Sequence, residues 1–360
     1  VYGALCLLSA LFFTGMMMVE NSTELLAQAV KIGTEPKMAW GRLNPVGTPK
    51  GIHPGRVAWV HAPGNFTWEK GNGHWYEDRW NSQEAADWMT HASLLSLTGE
   101  KDEKKAWNAI FVHFNKQQGK GVKGYKTGER LAIKVNMNNT FEYQDNEQLN
   151  ASPHLTLSLL RSLVREGGVP QEMITVFDPS RFMTNALYHK CVTEFPQVIY
   201  MDNEGTQGRT KATYTADAIP YSSDNGKLAR GLANAAIESD YLINVALMKG
   251  HCGQGVTLCA KNWYGVTDIH RDFRKNQQNN FNQDRGGKSR YMTFTDYMAH
   301  KDLGGKTMLY MIDALYGSEK VNGEPSAKWK MQPFNNDWPC SLFISQDGVA
   351  IDAVGVDFLT

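Results

Sequence analysis

The stretch that most constrains the fold is residues 240–266, DYLINVALMKGHCGQGVTLCAKNWYGV. Its first part, Tyr241 to Leu247, is an apolar run with the length and composition of a strand that is buried on both faces. A glycine-rich segment begins near Lys249, and the residues from Thr257 onward can form a helix. A buried strand that passes through such a turn into a helix presents polar groups at the carboxyl edge of a sheet, where open α/β folds bind ligands.

From Glu129 onward, apolar runs of strand length alternate with segments of helical periodicity. This alternation predicts an α/β fold with a doubly wound, mostly parallel sheet and helices on both faces. The predicted strands end at Asn136, Asp178 and Asp313. Because parallel strands all point the same way, we expect these ends and the segment 249–251 to share one edge of the sheet.

The remaining elements are predicted from local patterns. Residues 56–61 read as a first strand, and amphipathic helices are expected to begin near Asn81 and Lys104. Residues 206–221 have the character of irregular or hairpin structure, and residues 227–237 that of a helix.

An uncharged apolar segment at residues 1–19 is about long enough to cross a bilayer. We interpret it as a hydrophobic helix that precedes the α/β fold and acts as a membrane anchor or uncleaved signal helix; a cleaved secretory signal is the alternative. Residues 20–55 are expected to form a linker, and residues 56–360 a single α/β domain. The last residues are still apolar, so we expect the natural chain to continue.

The composition narrows the classes of partner and cofactor. Lys plus Arg and Asp plus Glu each total 37, so no overall charge favours nucleic acid. The five cysteines include no CxxC pair, so we expect no iron–sulfur cluster and no zinc ribbon. Ten tryptophans favour an extracytoplasmic or interface-rich protein. With the apolar segment, this predicts a protein that faces the periplasm or the cell exterior.

Cationic and amide side chains are concentrated near the predicted strand ends. The candidate ligand-binding residues are Lys134, Asn136, Lys249, Thr257, Lys261 and Asn262. Ammonium groups and amide donors suit a carboxylate, a phosphate or a polar cofactor. The nearby glycines would also let backbone N–H groups approach an anion. The pattern therefore predicts a site for a small anionic ligand.

His251 is the candidate catalytic residue, because imidazole titrates near neutral pH and also binds metals. Asp178 and Asp313, together with Asp352, carry the opposite charge, and they could hold a divalent cation. The cofactor is otherwise undetermined. A plainer interpretation is that Lys249 and His251 shape a turn while the aspartates cap helices at strand ends.

Two further segments have open interpretations. Residues 270–290 are long, polar and rich in Lys and Arg, which is compatible with a lid over an anionic ligand or with a solvated or partner-bound loop. The tryptophan-rich residues 64–80 could clamp a ligand or a neighbouring subunit, although packing over the domain's own core is the commoner role.

These residues resemble a known family. KGHCGQGVTLCAKNWYGV resembles the signature K-x-H-x-x-x-G-V-T-x-x-x-K-N-x-x-G of domain of unknown function 362, with Lys249, His251, Thr257, Lys261 and Asn262 at matching positions. LAIKVNMN, MIDALYG and DGVAIDAVGVDFL resemble further segments of that family. The region from about residue 50 onward is similar to exported bacterial members. Some members add ferredoxin-like cysteine motifs, which this sequence lacks, and the resemblance names no general activity.

Three hypotheses for function remain at this point. The first is a membrane-anchored extracytoplasmic protein that binds an anionic small molecule or a metal, with an enzymatic role left open. The second is an accessory subunit of a membrane complex in which the site is vestigial. The third is a secreted hydrolase with a cleaved signal.

Overall fold

The computed structural model describes residues 47–138, 143, 146–222, 229–251, 255–268 and 292–359. The compact unit that carries the predicted site begins at Pro49. The predicted anchor, most of the predicted linker and the 270–290 loop lie outside the described residues. Among the helices that are described, none has both the length and the apolar character that crossing a bilayer requires.

The described strands are β1 (Val57–His61), β2 (Leu131–Lys134), β3 (Ile174–Asp178), β4 (Ile199–Asp202), β5 (Thr210–Lys211), β6 (Tyr214–Pro220), β7 (Ala229–Ala233), β8 (Tyr241–His251), β9 (Gly255–Thr257), β10 (Thr307–Ser318) and β11 (Ser341–Ser345). The central sheet has the order β1-β11-β10-β8-β2-β3-β4-β5, and β9 pairs with the end of β8. Strands β6 and β7 form a separate antiparallel pair. The two longest strands, β8 and β10, lie in the middle of the sheet and are buried along almost their whole length.

The sheet is mixed and mostly parallel, so the α/β prediction is confirmed. The run from β10 through β8, β2, β3 and β4 to β5 is parallel throughout. At one edge β11 runs antiparallel to both β10 and β1, which is consistent with a sheet that is only mostly parallel. Those strands lie outside the alternating βα units, and antiparallel edge strands on a parallel sheet are common.

Helices cover both faces of the sheet. The first face carries α1 (Gln83–Thr98), α2 (Glu103–Gln117), α3 (Pro153–Arg161) and α4 (Asn185–Glu194). The second carries α5 (Asn234–Ile237), α6 (Cys259–Asn262), α7 (Met292–Ala299) and α8 (Gly348–Leu359). Successive strand residues alternate between the two cores: Ile133 packs into the first and Ala132 into the second. This two-sided burial explains why the central strands are apolar along their whole length.

The central strand is longer than its sequence suggests. β8 does not stop at Leu247 but continues to His251, since residues 249–251 pair antiparallel with 255–257 in a hairpin. The helix expected from Thr257 begins at Cys259 instead. The helix expected at 227–237 is also wrong in its first half, which forms β7, because pairing with β6 overrides local propensity there.

Candidate functional site

The candidate site lies at the carboxyl edge of the parallel strands. β2 ends at Lys134, in register with Asn244 of β8 and Phe177 of β3. β8 runs seven residues beyond that register, to His251, so its end projects past β2, while β10 pairs with it as far as Lys249. The prediction that several strand ends share one edge is confirmed for β2, β3 and β8, whereas the predicted strand end at Asp313 is wrong, because β10 continues to Ser318 alongside the extended β8.

Lys134 lies at the base of this edge and is fully paired. Its Nζ lies 3.1 Å from Asp178 Oδ2 and donates hydrogen bonds to Asn262 Oδ1 at 3.1 Å and to the Val135 carbonyl at 2.6 Å. Both charged side chains are almost completely buried. Burial lowers the pKa of Lys134, and the Asp178 carboxylate opposes that effect. An ammonium with three acceptors and a buried counter-charge is a structural ion pair.

Asn262 connects the strands to α6. Its Oδ1 accepts from Lys134 and from Asn136 Nδ2, each at 3.1 Å. Its Nδ2 donates to Asn244 Oδ1 at 2.8 Å and to the Val245 carbonyl at 3.1 Å. We call Lys134, Asn136, Asp178, Asn244 and Asn262 the paired cluster. Apart from Asn136 Oδ1, which is buried without a hydrogen-bond partner among the described residues, the side-chain polar atoms of this cluster are paired inside the protein, which suits a scaffold better than a binding surface.

Asp178 is held by backbone groups as well as by the lysine. Its oxygens accept from Met137 N at 2.8 Å, Ser180 N at 3.1 Å and Ser180 Oγ at 2.9 Å. Gly265 packs against this group: a Cβ added there would lie 3.1 Å from Lys134 Nζ and from Ser180 Oγ. An added methyl group would therefore force the ion pair to shift by a few tenths of an ångström, which gives Gly265, the last glycine of the signature K-N-x-x-G, a packing role.

The β8–β9 hairpin carries a second group, Lys249, His251 and Thr257, which we call the hairpin site. Lys249 and His251 are two residues apart on β8 and so share a face, and Thr257 is the cross-strand partner of Lys249. Lys249 is completely buried and Thr257 nearly so, while His251 is half-buried. Within the described part of the chain, neither Lys249 Nζ nor Thr257 Oγ1 has a hydrogen-bond partner.

Positive charge surrounds this unpaired amine. Burial lowers the pKa of Lys249 well below its usual value, Lys261 and Arg181 lower it further, and Asp178 partly opposes them. Burial, followed by Lys261 and Lys249, lowers the pKa of His251 to about 3. At neutral pH the imidazole is therefore uncharged. The expectation that His251 titrates near neutral pH does not hold for the ligand-free site.

Gly250 allows close packing between β8 and the segment after β10. A Cβ there would lie 2.3 Å from the Glu319 carbonyl oxygen, so only glycine lets β8 lie so close to the segment after β10. Gly253, which the sequence also suggested for anion contact, lies outside the described residues.

The remaining acidic candidates bind helix ends. Asp313 Oδ2 accepts from Ser152 N, the N-cap of α3, at 2.8 Å, and Asp352 accepts from Cys259 N at 2.7 Å and Ala260 N at 2.8 Å at the start of α6. Burial raises the pKa of each aspartate to about 6. The plainer interpretation, helix capping, accounts for both of these carboxylates.

The described residues include no group of three or more His, Cys, Asp or Glu side chains that could hold a metal ion. Asp178 and Asp313 have different partners: the first binds Lys134, and the second binds backbone N–H groups at the start of α3 and at Leu315. Metal binding at these two carboxylates therefore stays a prediction, and no cluster of ligands among the described residues supports it.

Sequence reasoning missed Asn244, Ser180 and Arg181. Asn244 is a single polar residue inside an apolar strand, and such a residue needs a buried partner. Ser180 and Arg181 follow Asp178 directly, so they lie at the same strand end. Arg181 lowers the pKa of both buried lysines, Lys134 and Lys249, and so links the paired cluster electrostatically with the hairpin site.

Comparison with known proteins identifies the family. None of the curated proteins compared with the chain matches it. The family described as domain of unknown function (DUF362) matches residues 131–357, a segment that begins with β2 and ends within α8. That segment contains the paired cluster, the hairpin site and Asp352, which caps α6. The resemblance noted in the sequence is therefore confirmed, and the chain belongs to the DUF362 family.

Proposed function

We propose that this protein binds an anionic small molecule at the hairpin site. The observation that carries the proposal is the buried Nζ of Lys249, which has no hydrogen-bond partner among the described residues. A buried amine without an acceptor costs free energy, about 1–3 kcal/mol for a neutral polar group and more for a charged one. A bound anion would remove that cost by accepting from Lys249 and from the equally unpartnered Thr257 hydroxyl.

The surrounding charges support an anion rather than a cation as the ligand. Lys261 and Arg181 both lower the pKa of Lys249, so their positive charges lie close enough to attract an anion to the same place. Asp178, which opposes this effect, already pairs with Lys134 at 3.1 Å. An anion beside Lys249 would therefore interact favourably with the charges of Lys261 and Arg181.

His251 would respond to the ligand. Its half-buried position, two residues beyond Lys249 on the same strand face, puts it nearer solvent than the buried amine. A bound anion would raise the pKa of the imidazole toward its ordinary range, since a nearby negative charge favours the protonated form. In that state His251 could donate a hydrogen bond or a proton to the ligand, which is the acid/base role that we propose for it.

We also propose that residues 1–19 anchor the protein in a membrane and that the α/β unit faces the periplasm or the cell exterior. The support is the uncharged apolar length of that segment and the similarity to exported members of the family. Alkaline carbonate extraction of membranes tests this: the full chain should stay in the membrane pellet, and release into the supernatant would contradict the anchor.

Thermal stabilisation by simple anions tests the ligand proposal. We expect phosphate or pyruvate to raise the Tm of the wild-type protein, because a ligand that binds only the folded state stabilises it. The double variant His251→Ala/Lys261→Ala should lose this shift. Lys105→Ala is the matched control, because it removes an exposed lysine on α2 that pairs with Asp102. Equal shifts in the double variant and the wild type would contradict the proposal.

A further inference from the structure

The Lys249 side chain differs from an ordinary anion-binding lysine. A surface lysine is a solvated ammonium with three donors to water, whereas Lys249 is 0% exposed and its Nζ has no acceptor in the described structure. Its cross-strand neighbour Thr257 is also buried, with an unpartnered hydroxyl. Such surroundings disfavour the ammonium form and shift the balance toward neutral NH2. A neutral amine carries a free lone pair, which makes it a nucleophile.

Neighbouring cations strengthen this property. Lys261 comes from α6 and Arg181 from the segment after β3, so two separate parts of the fold place positive charge near Lys249. Enzymes activate lysine nucleophiles in this way, by desolvation and by an adjacent cationic group. Lys134 provides the contrast inside the same molecule, because its Nζ is occupied by Asp178, Asn262 and the Val135 carbonyl.

We infer that Lys249 binds its ligand covalently and reversibly, as an imine with the carbonyl of a 2-oxo carboxylate. This inference rests on the proposed function, since the carboxylate is the anion that the site would attract. Lys261 and Arg181 would hold the carboxylate, and the Thr257 hydroxyl would donate to the oxygen of the adduct. A 2-oxo acid fits because it carries a carbonyl carbon that the amine would attack, bonded to a carboxylate that the flanking cations would attract.

The step balances without an oxidant or reductant. The Nζ lone pair attacks the carbonyl carbon, a C–N bond forms, and the C=O π pair moves to oxygen. That oxygen takes one proton from Nζ to give a carbinolamine. The second Nζ proton then leaves with the hydroxyl group as water while the C=N bond forms. Hydrolysis reverses the sequence and releases the ligand.

Reductive trapping tests the inference. The full chain is incubated with pyruvate and sodium cyanoborohydride, which delivers hydride to the imine, and labelled lysines are mapped by peptide mass spectrometry. We expect Lys249 to be the main labelled residue at pH 7. Its labelling should rise much less between pH 7 and pH 9 than that of exposed lysines, which should rise about a hundredfold, in step with their neutral fraction. This comparison is made within the wild-type protein and needs no variant.

Variants then locate the chemistry. Lys249→Met should abolish the main label, and Lys261→Ala should reduce labelling at pH 7, since removing a neighbouring cation raises the pKa of Lys249. Lys105→Arg should leave labelling of Lys249 unchanged. Acetone, which has a carbonyl but no carboxylate, should label Lys249 about tenfold less than pyruvate, the loss expected when about 1.4 kcal/mol of binding is removed.

These experiments distinguish failure of the covalent inference from failure of the proposed anion site. If pyruvate raises the Tm but labels only surface lysines, or none, the covalent inference is overturned while the anion site stands. If pyruvate and phosphate neither raise the Tm nor allow trapping at Lys249, both proposals fail. If acetone labels Lys249 as well as pyruvate does, the assignment of a 2-oxo carboxylate is overturned.

Discussion

Two buried lysines at one sheet edge have opposite surroundings. Lys134 donates to two acceptors and pairs with Asp178, which itself accepts backbone hydrogen bonds. Lys249 is equally buried and has no partner in the described structure. The comparison teaches that burial alone does not assign a role to a lysine. The paired one holds strands together, and we propose that the unpaired one binds a ligand.

The largest expected effect is a difference in the free energy of unfolding between variants of the two lysines. Lys134→Met should destabilise the protein by about 3–5 kcal/mol, because it leaves the Asp178 carboxylate buried without its cation. Lys249→Met should leave stability unchanged or raise it by about 1–2 kcal/mol, because it replaces an unpartnered buried amine with an apolar side chain of similar size. Urea unfolding of both variants measures the difference. Equal losses in the two variants would remove the distinction between the lysines.

A smaller effect concerns Asp313, a buried carboxylate that binds only backbone groups. Its folded pKa is raised from 3.8 to about 6, so between these values the folded state binds the proton more strongly than the unfolded state. Its contribution to stability is therefore greatest at low pH and falls as the pH rises through this window, by about 2–3 kcal/mol.

The Asp313→Asn variant isolates that contribution. The stability difference, wild type minus variant, should fall between about pH 4 and pH 7 and then level off. His154 and His251, whose pKa values are lowered to about 4 and about 3, titrate in the opposite sense but equally in both proteins. Urea unfolding across this range gives the slope. A difference that is independent of pH would show that Asp313 keeps an ordinary pKa.

The Gly265→Ala variant tests how tightly the paired cluster is packed. The added Cβ would press on Lys134 Nζ and Ser180 Oγ, and we expect a loss of about 1–3 kcal/mol. The same substitution in a Lys134→Met background should not be additive, with a coupling of at least about 0.5 kcal/mol. Thermal or urea unfolding of the four proteins completes the cycle. Strict additivity would mean that Gly265 does not act through the ion pair.

The smallest effect is a proton linkage at the hairpin site. Because an anion raises the pKa of Lys249 and His251, binding should take up protons, and the affinity for sulfate, whose charge does not change near neutral pH, should increase as the pH falls, by at most about tenfold per pH unit for each proton. Calorimetry in two buffers of different ionisation enthalpy counts these protons. Lys249→Met should take up fewer than Lys105→Met. Identical proton uptake in the two variants would exclude Lys249 from the linkage.

Much of the edge was predictable from the sequence. The apolar runs before Asn136, Asp178 and Lys249 indicate buried parallel strands, and parallel strands bring their carboxyl ends together. Asn262 was a candidate because it lies in the signature KNWYG. In the structure its Oδ1 accepts a hydrogen bond from Lys134.

Pairing partners were not predictable in the same way. The extension of β8 to His251 depends on its ladder with β9, and the reversal at β11 depends on neighbours far away in the chain. Hydrophobic periodicity predicts that a residue is buried, but it does not show whether a hydrogen-bond acceptor lies next to its side chain. Lys134 and Lys249 therefore look alike in the sequence, and only their contacts distinguish them.

The most direct test of this distinction is a crystal structure grown with selenate, whose selenium gives an anomalous signal. We predict a selenate with one oxygen about 2.7–3.2 Å from Lys249 Nζ and another within reach of Thr257 Oγ1. Lys134 should keep Asp178 as its partner. A fully buried Lys249 with no anomalous peak beside it, and selenate bound only at surface cations such as Arg165, would contradict the account.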